Sequence, residues 1–381
     1  MQPGAVDTSP AIAATNASHP DAGRLRVAIF SDALPERNGA GAYYEDLAAQ
    51  LGPELGALQL FRPVVKKRLL RFALPLPGDP TQKLITPNLL RIHRQFRALR
   101  PHLVVAVTPG PFGLLGFYYA RRSGCGFLTA FHTHFERLCE LYGNTFVFRT
   151  AQRYLEAVNG LLCRNSAAVL VNNSGLAQTV ERLGAPRVEV MGTPLARAFL
   201  DTPPVPRSGR LQQVLFAGRL APEKNIPAII EAARTLPQVR FVLAGDGPLR
   251  GQLDEAARDH ANLVLTGWLD RTALCDEMDA ADLLILPSHM ETFGTVALEA
   301  MARGRPALVA EAAGIHYWPT LQPALLTLRR GQSLAQALRE IPPDLLARKG
   351  AAARAAAEAL NARNLNQWLE LVQRYGRDPR R

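Results

Sequence analysis

The feature that most restricts the fold is a regular alternation of short apolar segments with helical segments, which occurs twice in the chain. Such an alternation predicts a parallel sheet covered by helices on both faces. The predicted strands read LRVAIFSD, HLVVAVT, GFLTAFH and AAVLVN in the first half, and QVLFAGRL, RFVLAGDG, NLVLTGWL, DLLILPS and RPALVAE in the second. We therefore predict an α/β fold of two doubly wound, Rossmann-like parallel-sheet domains that face a central crevice.

A polar, proline-rich segment, DTPPVPRSGR at residues 201–210, separates the two halves. The chain has 381 residues, enough for two domains that each bury a core. We predict a flexible tail at 1–23, an N-terminal domain at 24–200, a linker at 201–210 and a C-terminal domain at 211–381 with terminal helices. Near its end, Trp368, Leu369 and Val372 recur at helical spacing, which is typical of packing residues.

The charge of the chain is unbalanced, with 44 Lys and Arg against 33 Asp and Glu and a formal net charge of +11. An excess of that size attracts nucleic acid, anionic membranes or phosphorylated ligands. Nucleic acid is disfavoured because the sequence contains no recognised binding module and no basic stripe interleaved with aromatic residues. No Cys-x-x-Cys pair, membrane-spanning apolar run or leader pattern occurs. We expect a cytoplasmic protein in a reducing compartment.

The first candidate site segment is FAGRLAPEK, which follows a predicted strand directly and precedes a helix. It places Arg219 and Lys224 five residues apart at the edge of the crevice. A guanidinium offers forked donors and an ammonium a compact charge, so the pair suits a diphosphate. Two solvated surface cations would give the same pattern.

The second segment is HMETFGTVALEAMARG, in which a loop after a buried strand leads into a helix. Backbone N–H groups at the start of that helix, at Phe293, Gly294 and Thr295, predict an anion site. Glu291 and Glu299 are eight residues apart, roughly 10 Å along a helix, with the anion site between them. A sugar nucleotide has this layout: a sugar, a diphosphate and a ribose. An ordinary helix-start carboxylate plus a surface glutamate is the alternative.

Two weaker segments belong to the first half of the chain. In FHTHFERL, His132 lies at the end of a strand and His134 two residues later, where either side chain is placed to hydrogen-bond a substrate or transfer a proton. In PERNGAG, Gly39 and Gly41 allow a ligand to approach the backbone closely. A structural histidine and an ordinary turn are the alternatives.

Taken together, these segments resemble glycosyltransferase family 4, whose members are retaining enzymes with the GT-B fold of two facing Rossmann-like lobes. The resemblance covers residues 24–314 and rests chiefly on the Glu-x7-Glu signature of Glu291 and Glu299, supported by GRLAPEK and VLAGDGPL. It implies that Arg219 and Lys224 bind the donor diphosphate, that Glu291 binds the hydroxyls of the donor sugar, and that Glu299 binds the ribose.

The resemblance also implies roles for neighbouring residues. The backbone from Phe293 to Thr295 contacts the sugar and phosphate, Leu269 in TGWLDR lies near the base, and His132 lies close to the transferred sugar and the acceptor. Catalysis would then depend on His132, Arg219, Lys224 and Glu291.

Within the family, the N-terminal half looks most like the glycolipid-forming branch of diacylglycerol mannosyltransferases and sulfolipid synthases. The resembling stretches are LPERNGAG, RFALPLPGDP, LRPHLVVAVTPGPFG and FHTHFERLCELYG. In agreement, VVKKRLLRFALPL places Lys66, Lys67, Arg68 and Arg71 among apolar residues, as in segments that lie on an anionic membrane. A solvated loop is the alternative.

The chain departs from the family pattern at two places. After the signature it reads AEAAGIHYWPTLQPALLTLRRGQS, which keeps only Gly314 of the usual Gly-Gly loop and is a shortened form of the region that borders the donor pocket in the family. In the first loop, Ala40 separates Gly39 from Gly41.

The expected function is the metal-independent, retaining transfer of a sugar from a UDP- or GDP-linked donor to a hydroxyl acceptor. No cofactor is expected, and the acceptor is expected to be lipid-linked, at the cytoplasmic face of a membrane. Two alternatives stay open: a transferase with a soluble or polysaccharide acceptor, and a GT-B nucleotide-sugar epimerase.

Overall fold

The computed structural model describes residues 22–33, 39–63, 73–76, 79–132, 146–206 and 209–378. Its first half contains strands β1 (Arg26–Phe30), β2 (Ala57–Phe61), β3 (Ala73–Leu76), β4 (Asp79–Ile85), β5 (Leu103–Ala106), β6 (Gly126–Phe131), β7 (Val169–Val171) and β8 (Val188–Val190). Its second half contains β9 (Gln213–Ala217), β10 (Arg240–Ala244), β11 (Leu263–Gly267), β12 (Leu283–Leu286), β13 (Ala307–Ala310) and β14 (Leu325–Leu328).

The helices alternate with these strands. Those of the first half are α1 (Gly39–Leu51), α2 (Leu89–Leu99), α3 (Pro111–Ser123), α4 (Phe146–Asn165), α5 (Ala177–Arg182) and α6 (Arg197–Leu200). Those of the second half are α7 (Ile226–Thr235), α8 (Arg250–Asp259), α9 (Arg271–Ala280), α10 (Thr295–Ala302), α11 (Leu334–Arg339) and α12 (Pro343–Tyr375).

Two six-stranded parallel sheets confirm the predicted pair of doubly wound lobes. The first has the order β2-β1-β5-β6-β7-β8 and the second β11-β10-β9-β12-β13-β14, while β3 and β4 form a separate antiparallel hairpin. The sequence prediction missed β2, β8 and β14, which are edge strands of the two sheets, and it also missed the β3–β4 hairpin. An edge strand is only partly covered, so its sequence lacks the continuous apolar run that identifies a central strand.

Both faces of the first sheet are covered. Val27 and Ile29 of β1 pack on one face with residues of α1 and α12, whereas Ala28 and Phe30 pack on the other with residues of α2, α3 and α4. Alternate residues of a strand point to opposite faces, so this burial is what a doubly wound sheet requires.

Buried arginines hold the predicted linker against the second lobe. Arg303 forms an ion pair with Asp279 at 2.5 Å and donates to the carbonyl oxygen of Thr202 at 2.8 Å. Arg305 donates to the carbonyl oxygens of Met278, at 2.9 Å, and of Val205. These two cations are therefore structural.

Helix α12 packs against both lobes. Leu346, Ala353 and Leu360 lie in the core of the second lobe, whereas Trp368 and Val372 lie in the core of the first. The packing role predicted for Trp368 and Val372 is thus confirmed. The domain boundaries stay a prediction, and the last turns of the segment assigned to the C-terminal domain pack in the N-terminal lobe.

Candidate functional site

Glycines at the carboxyl ends of β9 and β10 let the strand-end loops of the second lobe pack closely. Gly245 has a φ of +143°, and a Cβ atom there would lie 1.9 Å from the carbonyl oxygen of Gly218. The amide of Gly245 donates to the carbonyl of Gly267 at 2.8 Å. No residue larger than glycine fits at position 245 without displacing the backbone. The loops at Gly218, Gly245 and Gly267 therefore pack tightly together, and we call them the floor of the site.

Both predicted cations extend from this floor, and each is paired with a carboxylate. Arg219 contacts Glu223 at 2.5 Å, and Lys224 contacts Glu291 at 2.5 Å. All four side chains are largely buried, with exposed fractions between 8% and 20%. We call this set the Lys224 cluster: Arg219, Glu223, Lys224 and Glu291.

Further hydrogen bonds join the two predicted segments. The side chain of Asn225 donates to the carbonyl of Pro287 at 3.2 Å, and the amide of His289 donates to the carbonyl of Glu223 at 2.9 Å. The structure thus brings Arg219, Lys224 and Glu291 together at one sheet edge.

The backbone before α10 is fixed by packing. The Phe293 side chain is buried and lies edge-on to Trp318, with ring centroids 6.3 Å apart. Gly294 has a φ of +99°, and Thr295 begins the helix. The amide of Gly314 donates to the carbonyl of Glu291 at 3.0 Å, so the divergent segment after the signature packs directly on it.

Glu299 lies one turn further along α10 and belongs to a group that spans both lobes. Arg271, in the second lobe, contacts Asp46 of α1 in the first lobe at 2.6 Å. Burial raises the pKa of Glu299 to about 7, with a further upward contribution from Asp46 and an opposing one from Arg271. Burial also raises the pKa of Asp46 to about 6 against the effect of Arg271. We call Asp46, Arg271 and Glu299 the Glu299 cluster.

Leu269, predicted near the base, is half-buried against the core of the second lobe, two residues before Arg271. It follows the exposed Trp268 at the end of β11. Leu269 thus lies close in sequence to the Glu299 cluster, at the same sheet edge as Arg219.

His132 follows β6 and lies against two tyrosines of α1. Its Nε2 is 2.9 Å from the hydroxyl of Tyr44, and the ring of Tyr43 lies 5.4 Å away. Burial lowers the pKa of His132 to about 4, so the imidazole is neutral at neutral pH. Tyr43 is itself held by the indole N–H of Trp368 at 3.1 Å.

Several predicted residues have limited or no description in the structure. Gly39 and Gly41 lie in the first turn of α1, while the rest of the loop before them is outside the described residues. His134 and the basic segment of Lys66, Lys67, Arg68 and Arg71 also lie outside.

Sequence reasoning missed four residues of these clusters and their surroundings. Glu223 was present in the quoted motif, four residues after Arg219, but the segment is not an α-helix, so this spacing did not predict the ion pair. Tyr44, Asp46 and Arg271 gave no signal, because their contacts cross between elements or lobes. The buried Ser288 hydroxyl, three residues before Glu291, has no hydrogen-bond partner among the described residues.

Within the described part of the chain, no group of three or more His, Cys, Asp or Glu residues is placed to hold a metal ion. Cys125, Cys163 and Cys275 are buried free thiols. No helix in the described ranges combines the length and the apolar character needed to cross a membrane.

Comparison with known families agrees with this arrangement. A model described as Glycosyltransferase Family 4 matches residues 37–195, and one described as Glycosyl transferases group 1 matches residues 203–317. The chain belongs to glycosyltransferase family 4. The matched ranges meet near the predicted linker, and the second contains the whole Lys224 cluster.

Known relatives are similar over part of their length. The chain is 29% identical over 230 residues to a GDP-mannose-dependent alpha-(1-6)-phosphatidylinositol dimannoside mannosyltransferase of Mycobacterium tuberculosis, covering 57% of this chain and 59% of the relative. It is 24% identical over 239 residues to the sulfoquinovosyl transferase of Arabidopsis thaliana, covering 59% of this chain and 46% of the relative. The chain therefore spans about half of the length of these relatives.

Solved structures establish the GT-B fold. Sucrose-phosphate synthase from Thermosynechococcus elongatus superposes with a TM-score of 0.70 at 19% sequence identity, covering 92% of this chain and 99% of that one. The predicted architecture of two facing Rossmann-like lobes is thus confirmed.

Proposed function

We propose that the protein transfers a sugar from a nucleoside diphosphate sugar to a hydroxyl acceptor. The observation that carries this proposal is the Lys224 cluster, which places two cations and the Glu291 carboxylate at one sheet edge, next to the start of α10. A diphosphate needs the cations, and a sugar needs a hydrogen-bond acceptor for its hydroxyls. Family membership supports the same function.

The donor exchanges partners with the cluster when it binds. Its phosphate oxygens take the places now held by carboxylates around Arg219 and Lys224, which leaves Glu291 free to accept hydrogen bonds from sugar hydroxyls. Glu299 accepts from the ribose, and the base lies near Leu269. The amide groups from Phe293 to Thr295 contact the sugar and the phosphate.

The reaction retains the anomeric configuration and needs no metal ion. The bond from the anomeric carbon to the diphosphate oxygen breaks while the acceptor oxygen bonds the same carbon from the same face. The departing phosphate oxygen takes the acceptor proton, so the step is balanced. Arg219, Lys224 and the start of α10 stabilise the charge that develops on the diphosphate.

His132 contacts the transferred sugar as a neutral imidazole. Its low pKa and the hydroxyl of Tyr44 support a hydrogen-bonding role rather than a cationic one. The hydrogen bond to Tyr44 fixes the orientation of the ring at the end of β6.

The acceptor is a lipid-linked hydroxyl at the cytoplasmic face of a membrane. Support comes from the relative that acts on a phosphatidylinositol dimannoside and from the glycolipid-like motifs of the N-terminal half. The segment with Lys66, Lys67, Arg68 and Arg71 contributes membrane contact.

The donor is identified by thermal shift with UDP, GDP, ADP and their sugars, because a ligand that binds only the folded state raises its stability. Turnover is then compared for wild type, Arg219→Ala and Glu291→Ala. We expect each variant to lose roughly 10²- to 10³-fold in kcat. Arg234→Ala and Glu231→Ala are matched controls, because they remove an exposed ion pair of the same type on α7.

Three results would contradict parts of the proposal. Unchanged turnover in both site variants would contradict the assignment of Arg219 and Glu291 to the donor site. Release of free nucleoside diphosphate without any acceptor, together with an epimerised sugar, would indicate the epimerase. Equal or faster transfer to a soluble sugar would replace the lipid acceptor.

The role of the basic segment has its own test. Cosedimentation with anionic liposomes is expected to fall in a Lys66→Ser, Lys67→Ser, Arg68→Ser variant. Unchanged cosedimentation would remove this role from the segment.

A further inference from the structure

A long part of the N-terminal lobe carries positive charge without any negative charge. Between Asp79 and Glu136 the sequence contains no acidic residue, and it contains seven lysines and arginines. The stretch includes all of α2 and α3. Most of the +11 net charge is therefore concentrated in one part of one lobe.

Three helices display this charge on the same side of the first sheet. Tyr119 of α3 stacks on Phe96 of α2 with ring centroids 4.6 Å apart, and Arg121 of α3 donates to Asn165 of α4 at 3.3 Å. All three helices contribute to the same buried core beneath that sheet face. Their solvent sides thus form one continuous surface, which we call the basic face.

The charged side chains of the basic face are directed to solvent. Its exposed arginines are Arg91, Arg94, Arg97, Arg121, Arg122, Arg149, Arg153 and Arg164. The sequence of the three helices contains a single acidic residue, Glu156, which is half-buried and accepts a hydrogen bond from Gln152 at 3.0 Å. The arginines of α2 and α3 therefore have no carboxylate on their own helices, and those of α4 have only Glu156.

Large apolar side chains lie exposed among these arginines. Leu89 and Leu90 are 59% and 75% exposed, and Tyr118 and Tyr154 are 56% and 50% exposed. These four are half of the large exposed apolar side chains of the described residues. A surface that combines arginines with exposed leucine and tyrosine matches both layers of a bilayer interface, the anionic headgroups and the upper acyl chains.

The two leucines lie at the crevice end of the basic face. Arg26, the first residue of β1, donates to the carbonyl oxygens of Leu99 and Arg100, so α2 ends beside the amino end of the sheet. Leu89 and Leu90, at the start of α2, consequently lie towards the carboxyl edge, where His132 follows β6.

We infer that the basic face is the surface on which the protein lies on an anionic lipid bilayer, with Leu89 and Leu90 entering the headgroup region. In this orientation the start of α2 brings the crevice edge of the first lobe next to the lipid, where a lipid-linked acceptor would be delivered. The inference extends the proposed function, yet it rests on the surface alone and is tested without donor or acceptor. It is also independent of the segment from Lys66 to Arg71.

The test is cosedimentation of the full chain with phosphatidylcholine vesicles that contain about a third phosphatidylglycerol as the anionic lipid. The variant Arg91→Gln, Arg94→Gln, Arg97→Gln keeps good helix formers on α2. We expect its affinity to fall about 100-fold, because each basic residue near an anionic surface is worth about a factor of five. The remaining binding is expected to depend less on salt.

The apolar component is tested separately. Leu89→Ser, Leu90→Ser is expected to weaken vesicle binding about tenfold at every salt concentration, because burying leucine is not an electrostatic effect. Val205→Ser serves as the apolar control, since Val205 is similarly exposed but lies in the linker, against the second lobe.

The matched charge control is Arg258→Gln, Arg329→Gln, Arg330→Gln, which removes three exposed arginines from the second lobe. An equal loss of binding in this control would overturn the inference, because net charge alone would then explain it. Loss of RNA binding with unchanged vesicle binding in the α2 variant would assign the basic face to nucleic acid instead.

Failure of this inference can be distinguished from failure of the proposed function. If the α2 variant loses vesicle binding and no lipid accepts a sugar, membrane binding by the basic face is supported and the proposal of a lipid acceptor is contradicted. If wild type transfers sugar to a detergent-solubilised lipid but does not bind vesicles, membrane binding by the basic face is contradicted and the proposal of a lipid acceptor is supported.

Discussion

The two charged clusters of the candidate donor site are balanced differently. In the Lys224 cluster, two cations face two carboxylates, and every member belongs to the second lobe. The Glu299 cluster has one guanidinium, that of Arg271, for the two carboxylates of Glu299 and Asp46. Asp46 comes from the first lobe. The first cluster is charge-neutral and lies on a tightly packed floor, whereas the second carries excess carboxylate across the crevice.

In the proposed function, this difference suits the two clusters to two kinds of ligand group. At the Lys224 cluster the carboxylates keep the buried cations compensated, because an unpaired buried charge is costly. In the proposed function, the donor phosphates replace them. At the Glu299 cluster the excess carboxylate is accommodated by holding a proton near neutral pH. Hydroxyls of a ribose would release that proton by donating to the carboxylate.

The largest expected effect comes from breaking the balance of the Lys224 cluster. Lys224→Met removes the ammonium that pairs with Glu291. We expect kcat to fall by roughly 10²- to 10³-fold, because charge on the departing diphosphate loses a stabilising donor. Steady-state kinetics with the identified donor measure this loss.

Lys349→Met is the control, since Lys349 lies on α12 and donates to the carbonyls of Gln322 and Pro323, away from the cluster. A kcat for Lys224→Met within a factor of three of wild type would contradict the catalytic role of the cluster.

The next effect tests the tightly packed floor. Gly245→Ala places a methyl group against the carbonyl of Gly218 at a φ of +143°, so we expect the folded state to lose roughly 3 kcal/mol of stability. Thermal or denaturant unfolding measures the change. Gly251→Ala in α8 meets no atom within 4 Å and is expected to be neutral or slightly stabilising. Equal stability of the two variants would show that the floor is not rigid.

A smaller effect comes from the raised pKa of Glu299. The folded-state pKa of about 7 exceeds the ordinary value of 4.5, so between those values the folded chain holds a proton that the unfolded chain has released. Stability due to this group therefore falls as pH rises and is lost above pH 7. We expect Glu299→Gln to raise Tm by roughly 2–6 °C relative to wild type at pH 8, with little change at pH 5.

The control for this prediction is Glu255→Gln, which changes an exposed glutamate of α8. Its Tm difference from wild type is expected to stay constant between pH 5 and pH 8. A constant difference for Glu299→Gln as well would show that Glu299 does not titrate in this range.

The smallest effect separates two causes of the raised pKa of Glu299: its burial, and the charge of Asp46 in the other lobe. Asp46 raises the pKa of Glu299, so its removal should lower that pKa. When Asp46→Asn is added to both wild type and Glu299→Gln, the pH range in which their Tm values diverge should move to lower pH. Asp276→Asn, an exposed change on α9, should leave that range in place. A profile that does not move would mean that the lobes are further apart in solution.

Sequence reasoning predicted the central strands and the Lys224 cluster better than the Glu299 cluster. Arg219, Lys224 and Glu291 follow buried strands of one parallel sheet, whose carboxyl ends meet at one edge, so local pattern and topology suffice. Asp46 and Arg271 meet only because the lobes face each other, and no spacing in the sequence encodes that contact. The same holds for His132 and Tyr44, which approach from a strand end and a helix.

The course of α12 has a consequence for biosynthesis. Trp368 and Val372 complete the core of the first lobe, and a Cβ atom at Gly126 would lie 1.9 Å from the carbonyl of Tyr375, so the helix end fits directly against β6. The strands of that lobe are translated long before this helix. While the ribosome makes the second lobe, one side of the sheet of the first lobe is therefore covered by α1 without α12, and its core is completed only after the second lobe has been synthesised.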